Sequence, residues 1–262
     1  MDTGIRTLAE QDISVLATTQ QTQLGATGAT ADGRRFRYVK FGGTSTIAPG
    51  LLVQAPALTA NYQGLALTAT ATSGGNTVAQ LATGSNSLVV TLAGTAVTQD
   101  QFAEGYIDVI VGGASADTGH YTYKIKGNTA QTSTTGLVTL YLAEPTRHTT
   151  ALVPGTDTAN LRISDYSGVV SSTTAALTIG LTVMPVPNTS TVTNYGWVQT
   201  YGDCVVLNDA GGTITVGGAF GQSTTTAGNV KAATASTVPI LGITKIAINA
   251  STSAPAFLTF GS

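Results

Sequence analysis

The sequence predicts an all-β protein: an antiparallel β-sandwich or barrel domain, a smaller C-terminal domain of β-barrel type, and an extended N-terminal arm. Thr is abundant throughout the chain, and its branched Cβ suits pleated, half-buried surfaces. Short segments with alternating or continuous apolar residues recur about every ten residues. Gly and Asn punctuate the chain between these segments, as expected of turns.

The predicted strands follow this pattern along the chain beyond the arm. Each combines β-branched, aromatic or other apolar residues with turn signals at its ends. They comprise residues 35–41, 87–92, 106–111, 121–126, 137–142, 159–163, 177–183, 197–200, 205–207, 213–216, 240–248 and 256–260. This spacing is typical of antiparallel sandwiches and barrels.

One short helix is predicted between two of these strands. Thr98 is a suitable N-cap residue, Gln101 stands at the third helical position, and Gly105 can end the turn. A similar capping pattern begins at Thr7, but the apolar alternation that follows it is typical of a strand. The sequence therefore leaves the structure of the first 33 residues open.

The predicted domain boundaries follow changes in composition. Residues 1–33 form the arm, because much of this segment is rich in Thr, Gln, Gly and Ala, as in linkers and in segments that order against a partner. Residues 34–184 form the larger β domain. Two prolines and a polar run begin at Pro185 and predict a boundary there. Residues 185–262 then form the smaller β domain.

Charged residues are scarce. They make up 9% of the 262 residues, against roughly 25% in an ordinary globular domain, and residues 41–99 and 166–202 contain none. Acid–base catalysis and metal binding need ionisable side chains, so the composition argues against an enzyme. Thr, Ser and Gly lose little side-chain entropy in a contact, and interface cores are depleted of charge. The uncharged stretches are therefore predicted to form a contact surface for other proteins.

The remaining bulk properties limit the partners and the compartment. The formal net charge of −2 favours neither nucleic acid nor an anionic membrane, and no apolar run approaches the roughly 18 residues of a membrane helix. The first residues include an acid at position two and lack the apolar region of a signal peptide. The single cysteine, Cys204, excludes an internal disulfide framework. We therefore expect synthesis in the cytoplasm, and neither nucleic acid nor a membrane as a partner.

The motifs that suggest catalysis have simpler interpretations. Asp-Thr-Gly triplets occur at residues 2–4 and 117–119, as in aspartic proteases, but a frayed terminus and a turn explain them. His120 adjoins a strand start and His148 is expected to face solvent, and no Gly-x-Ser-x-Gly elbow accompanies them. Cys204 is expected to be a small buried residue rather than a nucleophile. No catalytic residue, cofactor-binding residue or cofactor is predicted.

No metal site is predicted either. Asp203 and Asp209 flank a predicted hairpin and could share a calcium ion, but turn formation explains both. Asp100, Glu104 and Asp108 are spaced by four residues, but a predicted strand interrupts the helical face that they would share. His and Cys do not occur at the spacing of metal ligands.

One basic cluster stands out, formed by Arg34, Arg35, Arg37 and Lys40 and interleaved with aromatic residues. On a strand, Arg35 and Arg37 share one face, and the other two share the opposite face. Such a strand can bind nucleic acid, protect a sheet edge from aggregation, or anchor the chain to an acidic neighbouring protein. The edge and anchor interpretations are favoured, because the chain has no second basic cluster. These four residues are the predicted partner contact.

Several motifs follow one another in a characteristic order: YVKFGG at residues 38–43, IAPGLLV at 47–53, FAEGYI at 102–107, YTYKIKGN at 121–128, LYLAEP at 140–145, YGWVQTYG at 195–202 and VPILGI at 238–243. Together with the composition, this order resembles the head-associated structural proteins of tailed bacteriophages, which are similar to capsid decoration, or cement, proteins. The resemblance covers residues 34–262.

This resemblance implies an all-β virion protein that binds the outside of an icosahedral phage head and stabilises it through uncharged protein–protein contacts. The implied partners are the major capsid protein of the same particle and further copies of the chain, for which a trimer is expected. The arm, residues 1–33, would tether the protein to the shell or to a neighbouring copy. The resemblance implies no catalytic residues.

Other functions stay open. Within structural proteins, the alternatives are a tail, fibre or baseplate component, or a jelly-roll capsid protein. From another class, a carbohydrate-binding or adhesin module would need an exposed aromatic platform, for which Tyr195, Trp197 and Tyr201 are the candidates. Trp197 is expected to lie in the core instead. An enzyme is the least supported function, because no nucleophile or acid–base constellation is present in the sequence.

Overall fold

The computed structural model describes residues 4–68, 74–112, 119–172, 177–187, 192–233 and 239–260. It is 5% helical and 42% strand, with a closed five-strand barrel and a nearly closed six-strand, barrel-shaped sheet. The prediction of an all-β protein with barrel-type domains is confirmed. None of the helices in these ranges is long and apolar enough to cross a bilayer.

The strands, in chain order, are β1 (Arg6–Thr7), β2 (Thr27–Ala29), β3 (Arg35–Phe41), β4 (Leu52–Gln54), β5 (Leu65–Ala66), β6 (Ser87–Thr91), β7 (Tyr106–Val111), β8 (Gly119–Asn128), β9 (Leu137–Leu142), β10 (Thr158–Arg162), β11 (Ser167–Ser171), β12 (Thr178–Thr182), β13 (Tyr195–Leu207), β14 (Ala219–Gln222), β15 (Val230–Ala232), β16 (Gly242–Thr244) and β17 (Ser253–Leu258). The helices are α1 (Glu10–Ile13), α2 (Val78–Leu81) and a 3-10 turn at Ala60–Tyr62. The strands predicted at residues 35–41, 106–111 and 137–142 coincide with β3, β7 and β9.

The chain divides into two compact units, residues 1–57 with 165–262, and residues 58–164. This division differs from the boundaries that composition suggests at residues 33/34 and 184/185. The reason is pairing over a long sequence distance. Strands β3 and β13 are antiparallel neighbours, which brings early and late parts of the chain into one unit. A boundary that depends on such pairing leaves no mark in local composition.

The first unit contains the closed barrel β3-β11-β4-β12-β13, in which β13 pairs back onto β3. Its interior is apolar and includes Val39 and Phe41 of β3 and Val198 of β13. Side chains alternate between the two faces of a strand. Accordingly, Phe36 and Tyr38 of β3 pack in a separate apolar cluster on the opposite face.

A further sheet of the first unit continues from the same long strand. At Gly202 φ is +95°, a conformation that favours glycine, and β13 then pairs with β17, which leads through β16 and β14 to β15. A parallel bridge between Asn208 and Val230 joins the last strand back to the end of β13. The interior of this sheet is an apolar cluster that includes Phe220 and Leu258.

The uncharged strands β4 and β12 are buried on both faces. Leu52 and Leu181 belong to the cluster of the sheet that ends in β15, whereas Val53 and Ile179 belong to the interior of the five-strand barrel. A charged side chain on either face would need a buried partner, and this explains the absence of charge in these strands. The expectation that the uncharged stretches form an exposed contact surface therefore does not hold for β4 and β12.

The described part of the predicted arm packs against the barrel. Strands β1 and β2 extend the sheet from β3, and Leu8 and Ile13 are buried in the same cluster as Trp197. Gly28 permits this packing, because a Cβ atom at this position would overlap the side chain of Leu8. From residue 4 onward the segment is therefore part of the folded unit.

The second unit is the six-strand sheet β5-β10-β7-β8-β9-β6. An isolated bridge between Leu67 and Val90 links the first and last strands, and the interior is an apolar cluster that includes Phe102 and Leu140. Asn76 binds the edge of β6: its Nδ2 donates to the carbonyl of Val89 and its Oδ1 accepts the amide of Val89, both at 2.7 Å. The side chain of Val89 points away from the interior cluster and is still only 2% exposed. The uncharged strand β6 is therefore also buried on both faces.

The prediction of a short helix between Thr98 and Gly105 is wrong. These residues form consecutive turns, because Asp100 and Glu104 have φ values of 56° and 62°, outside the range of a right-handed helix. The reciprocal bonding expected of a helix start is present in part, since the amide of Thr98 donates to the side chain of Gln101 at 3.0 Å. The capping signal is therefore satisfied by a turn.

Two strand predictions near the C-terminus are too long or misplaced. Residues 213–216, predicted as a strand, instead contribute an isolated bridge between Ile214 and Ile248. The end of β13 pairs with β17 rather than with this segment, so the predicted hairpin does not form. Residues 240–248 contain the three-residue strand β16. Bends, turns and the isolated bridge make up the rest of both segments.

Candidate functional site

The predicted basic contact lies on β3 and immediately before it. Arg34 precedes the strand, and all four side chains are half-buried rather than fully exposed. Arg35 and Arg37 share one face of β3 as predicted, and Lys40 lies on the other. The guanidinium of Arg35 lies 5.3 Å from the centre of the Tyr201 ring, within the range of a cation–π interaction.

Arg34 connects β3 to the N-terminal segment. Its guanidinium forms ion pairs with Glu10 of α1 and with Asp32, the latter at 2.7 Å. Hydrogen bonds, first from Thr30 and then from Arg34, outweigh the effect of burial and hold the pKa of Asp32 below its ordinary value. A substantial part of the Arg34 charge is therefore satisfied within the chain.

Arg37 has a similar internal role. Its Nη1 donates to the carbonyl of Gly25 at 2.9 Å and to the hydroxyl of Thr27 at 2.6 Å. Both acceptors belong to the N-terminal segment or to the strand that it forms, β2. Arg34 and Arg37 thus hold residues 10–34 against the barrel, and a contact of the four basic residues with a partner stays a prediction.

The structure describes the surroundings of Cys204 and of His148, two residues that were considered for catalysis. Burial, with the nearby charge of Asp203, raises the pKa of Cys204 to about 12, so the thiol is not ionised at neutral pH. The prediction that His148 faces solvent is wrong: it is 1% exposed, with Nε2 3.1 Å from the Leu81 carbonyl and Nδ1 3.4 Å from the Tyr123 hydroxyl. The proline and polar residues around His148 suggested a loop, but this loop packs against β8 and α2 of its own unit.

The acidic residues that could have met at a metal ion have separate partners. Asp203 forms an ion pair with Lys245. Asp209 is buried and accepts hydrogen bonds from Ser223 Oγ at 2.7 Å and from the Gly211 amide at 2.8 Å. Within the described ranges there is no group of three or more His, Cys, Asp or Glu side chains that could hold a metal ion.

Asp100 and Asp108, two of the carboxylates that are spaced by four residues, also bind different partners. Asp108 accepts from the Nε of Arg162 at 2.6 Å and from Thr122 at 2.7 Å. Burial raises the pKa of Asp108, but these hydrogen bonds outweigh it and the pKa lies below its ordinary value. Asp100 accepts from the amide of Asn128 instead. For the Asp-Thr-Gly triplets, residues 2, 3, 117 and 118 lie outside the described residues, so neither triplet is described in full.

The aromatic platform proposed for a carbohydrate-binding module does not form as predicted. Trp197 is 4% exposed and belongs to an apolar cluster, which confirms its expected place in the core. Tyr201 is half-buried and packs edge to face against Phe257, with ring centroids 5.2 Å apart. Tyr195 is half-buried and lies parallel to Tyr38 at 6.2 Å.

The structure reveals a different candidate site at one end of the six-strand sheet. Three loops meet there, residues 59–63, 93–99 and 129–136, and none of their residues is charged. We call these loops the neutral rim. Most of their residues are exposed, including Gln63 and Thr132. Because the loops are far apart in sequence, only the closure of the sheet brings them together.

Hydrogen bonds cross-link the loops of the neutral rim. The side chain of Asn61 donates to Thr95 at 2.7 Å, and the amide of Gly94 donates to the Thr134 carbonyl at 2.8 Å. Val97 and Gln131 exchange two backbone bonds, at 2.8 and 2.7 Å. Bonds between loops restrict their motion before any partner binds, and such preorganisation lowers the entropy cost of association.

Asn128 holds the base of the neutral rim. It is fully buried, and its Oδ1 accepts the Phe102 amide at 2.8 Å while its Nδ2 donates to the carbonyls of Thr98 and Thr129, both at 2.9 Å. The amide of Asn128 donates to Asp100 at 3.1 Å. One buried side chain therefore ties two loops to the end of β8, a role that its place in the sequence does not indicate.

No protein family, curated protein or solved structure matches this chain.

Proposed function

We propose that this protein is a structural component of a virion, and that it binds the outside of an icosahedral phage head as a decoration protein. The observation that carries the proposal is the neutral rim: exposed, uncharged loops of the six-strand sheet, cross-linked by hydrogen bonds. Its proposed partner is the major capsid protein of the particle. The sequence resemblance supplies the kind of particle, and the rim supplies a surface suited to such contacts.

The chemistry of the rim favours a lasting protein contact. Thr, Ser, Ala and Gly have short side chains, so little rotamer entropy is lost when they are covered. An uncharged surface avoids the desolvation penalty of buried ions, and its affinity depends little on salt. A surface with these properties can stay bound under changing ionic conditions.

Self-association is part of the proposal. Copies of the chain would contact one another on the shell as a trimer, and the half-buried basic residues Arg35 and Lys40 are the proposed contact with an acidic neighbour. The described part of the N-terminal segment packs within its own unit. Any tether to the shell would therefore involve residues before Gly4 or a rearrangement of the segment.

The proposal is tested by binding to purified phage heads that lack this protein. We expect the native chain to co-sediment with the heads at a fixed ratio to the major capsid protein, with little difference between low and high salt. The double variant Gln63→Glu/Thr132→Glu places two charges on exposed rim positions. We expect it to lose at least tenfold in affinity, because both charges would need to be desolvated.

The matched control is Thr259→Glu, an exposed threonine of the first unit, which should bind as the native chain does. Equal binding by the double variant and the control would contradict the role of the rim. Absence of the chain from complete heads, with its presence on tails or fibres, would instead favour a tail, fibre or baseplate component.

A further inference from the structure

A groove lies between the N-terminal segment and the outer face of β3 and β13. It has a volume of about 400 Å³ and is lined by residues that include Arg6, Gln11, Asp12, Tyr38, Tyr195 and Trp197. This volume is within the range of about 300 to 1,000 Å³ typical of small-molecule sites. The groove is separate from the neutral rim, which belongs to the other unit of the chain.

Aromatic rings form the floor of this groove. Tyr38 and Tyr195 are parallel, with planes 9° apart, and Trp197 packs edge to face against Tyr38. Antiparallel pairing of β3 with β13 places these residues on one face, with Trp197 directly opposite Tyr38. The ring of Tyr195 is half-buried and therefore presents apolar carbon to the groove.

Polar side chains with planar ends line the opposite wall. Arg6 and Gln11 are exposed, and Asp12 is half-buried. Asp12 is oriented by a hydrogen bond at 2.9 Å from the amide of Ala9 to its Oδ2. Guanidinium, carboxylate and amide groups can each make two hydrogen bonds in one plane. They can therefore bind neighbouring hydroxyl groups of one ligand.

The N-terminal segment that carries this wall is held in place. Ala17 and Tyr195 exchange two backbone hydrogen bonds, at 2.9 and 2.8 Å, and the amide of Gln21 donates to the Tyr38 hydroxyl at 3.1 Å. Leu8 belongs to the same segment, and its side chain is buried in the apolar cluster that contains Trp197. The two walls are thus fixed relative to each other, as a binding site requires.

We propose that this groove binds a neutral saccharide of one or two rings. A sugar ring offers an apolar C–H face, which suits the Tyr195 ring, and a rim of hydroxyl groups, which suits Arg6, Gln11 and Asp12. The charges of Arg6 and Asp12 have opposite signs, so the lining favours neither a cationic nor an anionic ligand. The binding site differs from an exposed platform on Trp197, because that indole contributes only to the floor.

The protein contains a single tryptophan, so the emission of Trp197 reports directly on the groove. The full chain is titrated with glucose, galactose, mannose, N-acetylglucosamine and their disaccharides. We expect a saturable change in emission with at least one of these sugars. The charged relatives glucuronate and glucosamine should bind more weakly than the neutral sugar of the same configuration.

Variants locate the binding site. Tyr195→Ala should weaken binding by at least about tenfold, which corresponds to about 1.4 kcal/mol. Arg6→Ala changes an exposed residue and should weaken binding several-fold without loss of the fold. Tyr141→Ala removes a tyrosine that is 44% exposed in the other unit and should leave binding unchanged.

Two results would overturn the proposal: no saturable response to any sugar of the panel, or equal affinity of the native chain and Arg6→Ala. Tighter binding of either charged sugar would overturn the assignment of a neutral ligand. None of these results bears on binding to phage heads, because that assay changes the neutral rim and not the groove.

Discussion

Trp197 packs edge to face against Tyr38, its direct neighbour across strands β13 and β3, with ring centroids 5.1 Å apart and planes at 63°. This pair lies at the centre of the apolar cluster that joins the N-terminal segment to the outside of the five-strand barrel. The barrel therefore has two apolar faces at this point, one toward its interior and one toward the segment.

The first prediction concerns this indole. We expect Trp197→Ala to lower the free energy of unfolding by about 3–5 kcal/mol, because the segment cannot collapse into a cavity of that size. Urea unfolding followed by circular dichroism measures the change. Tyr141→Ala, at a 44% exposed tyrosine, should change the free energy by less than about 1 kcal/mol. Similar effects of both substitutions would show that Trp197 is not a core residue.

The second prediction compares a buried leucine with an exposed isoleucine in the N-terminal segment. Leu8 is buried and its amide donates to the Ala29 carbonyl at 2.8 Å, whereas Ile5 is exposed. We expect Leu8→Ala to cost about 2–4 kcal/mol and to speed hydrogen exchange and proteolysis within residues 4–24. Ile5→Ala should leave the stability, the hydrogen exchange and the proteolysis of this segment unchanged. Unchanged exchange in Leu8→Ala would mean that the segment is not anchored by this side chain.

The third prediction tests how the neutral rim is held. Asn128→Ala leaves the Phe102 amide and the carbonyls of Thr98 and Thr129 without this partner, so we expect a loss of about 2–4 kcal/mol. Amide exchange should become faster at Gly94 and at neighbouring rim residues. Asn86→Ala, at an exposed asparagine, is the control. Native exchange rates across the rim in Asn128→Ala would contradict the anchoring role.

The fourth prediction is a dependence on pH. Burial raises the pKa of Asp209, but hydrogen bonds from Ser223, the Gly211 amide and Thr225 outweigh it, so the pKa lies below its ordinary value. A carboxyl with a lower pKa in the folded state stabilises the protein above the unfolded pKa, and this is lost as pH falls through the folded pKa. We expect stability to fall more steeply below about pH 4 in the native chain than in Asp209→Asn.

The measurement is the urea midpoint as a function of pH. At neutral pH, Asp209→Asn should already be destabilised by about 1–3 kcal/mol, because the amide cannot accept all the hydrogen bonds of the carboxylate. Asp165→Asn, at an exposed carboxyl, is the control. Parallel pH curves for the native chain and Asp209→Asn would contradict the prediction.

The fifth prediction concerns the single thiol. With the pKa of Cys204 raised to about 12 by burial and by Asp203, its thiolate is rare at pH 8. We expect a disulfide reagent to modify the folded protein about a hundredfold more slowly than the urea-unfolded protein. The raised pKa also stabilises the fold below the unfolded pKa of about 8.5, and this is lost as pH rises toward 12. Rapid labelling of the folded chain would contradict the raised pKa of Cys204, which is partly buried.

Local pattern predicted many of the strands but not their partners. Residues 35–41 alternate in a way that identifies β3, yet nothing in them indicates pairing with β13, some 160 residues away. Short strands such as β14 and β15 escape prediction, because three or four residues carry too little periodicity. The turn at Asp100 was not predicted for another reason: the capping residues around it fit the start of a helix as well as a turn.

The candidate sites show the same limit. The basic residues of β3 are visible in the sequence as a cluster, but only the structure shows that Arg34 and Arg37 bind the N-terminal segment. The neutral rim combines loops around residues 61, 95 and 131, and these meet only because the sheet closes. The groove likewise needs the pairing that sets Trp197 opposite Tyr38.

The all-β class, most strand positions and the near absence of charge follow from the amino-acid sequence alone, because these depend on side-chain chemistry and on alternation within a few residues. What the missing charge means depends on the fold. In β4, β6 and β12 it reflects burial on both faces, where an ion would have no partner. In the neutral rim it leaves an exposed surface without ions. The difference depends on which segments cover each strand, and a local sequence pattern does not contain that information.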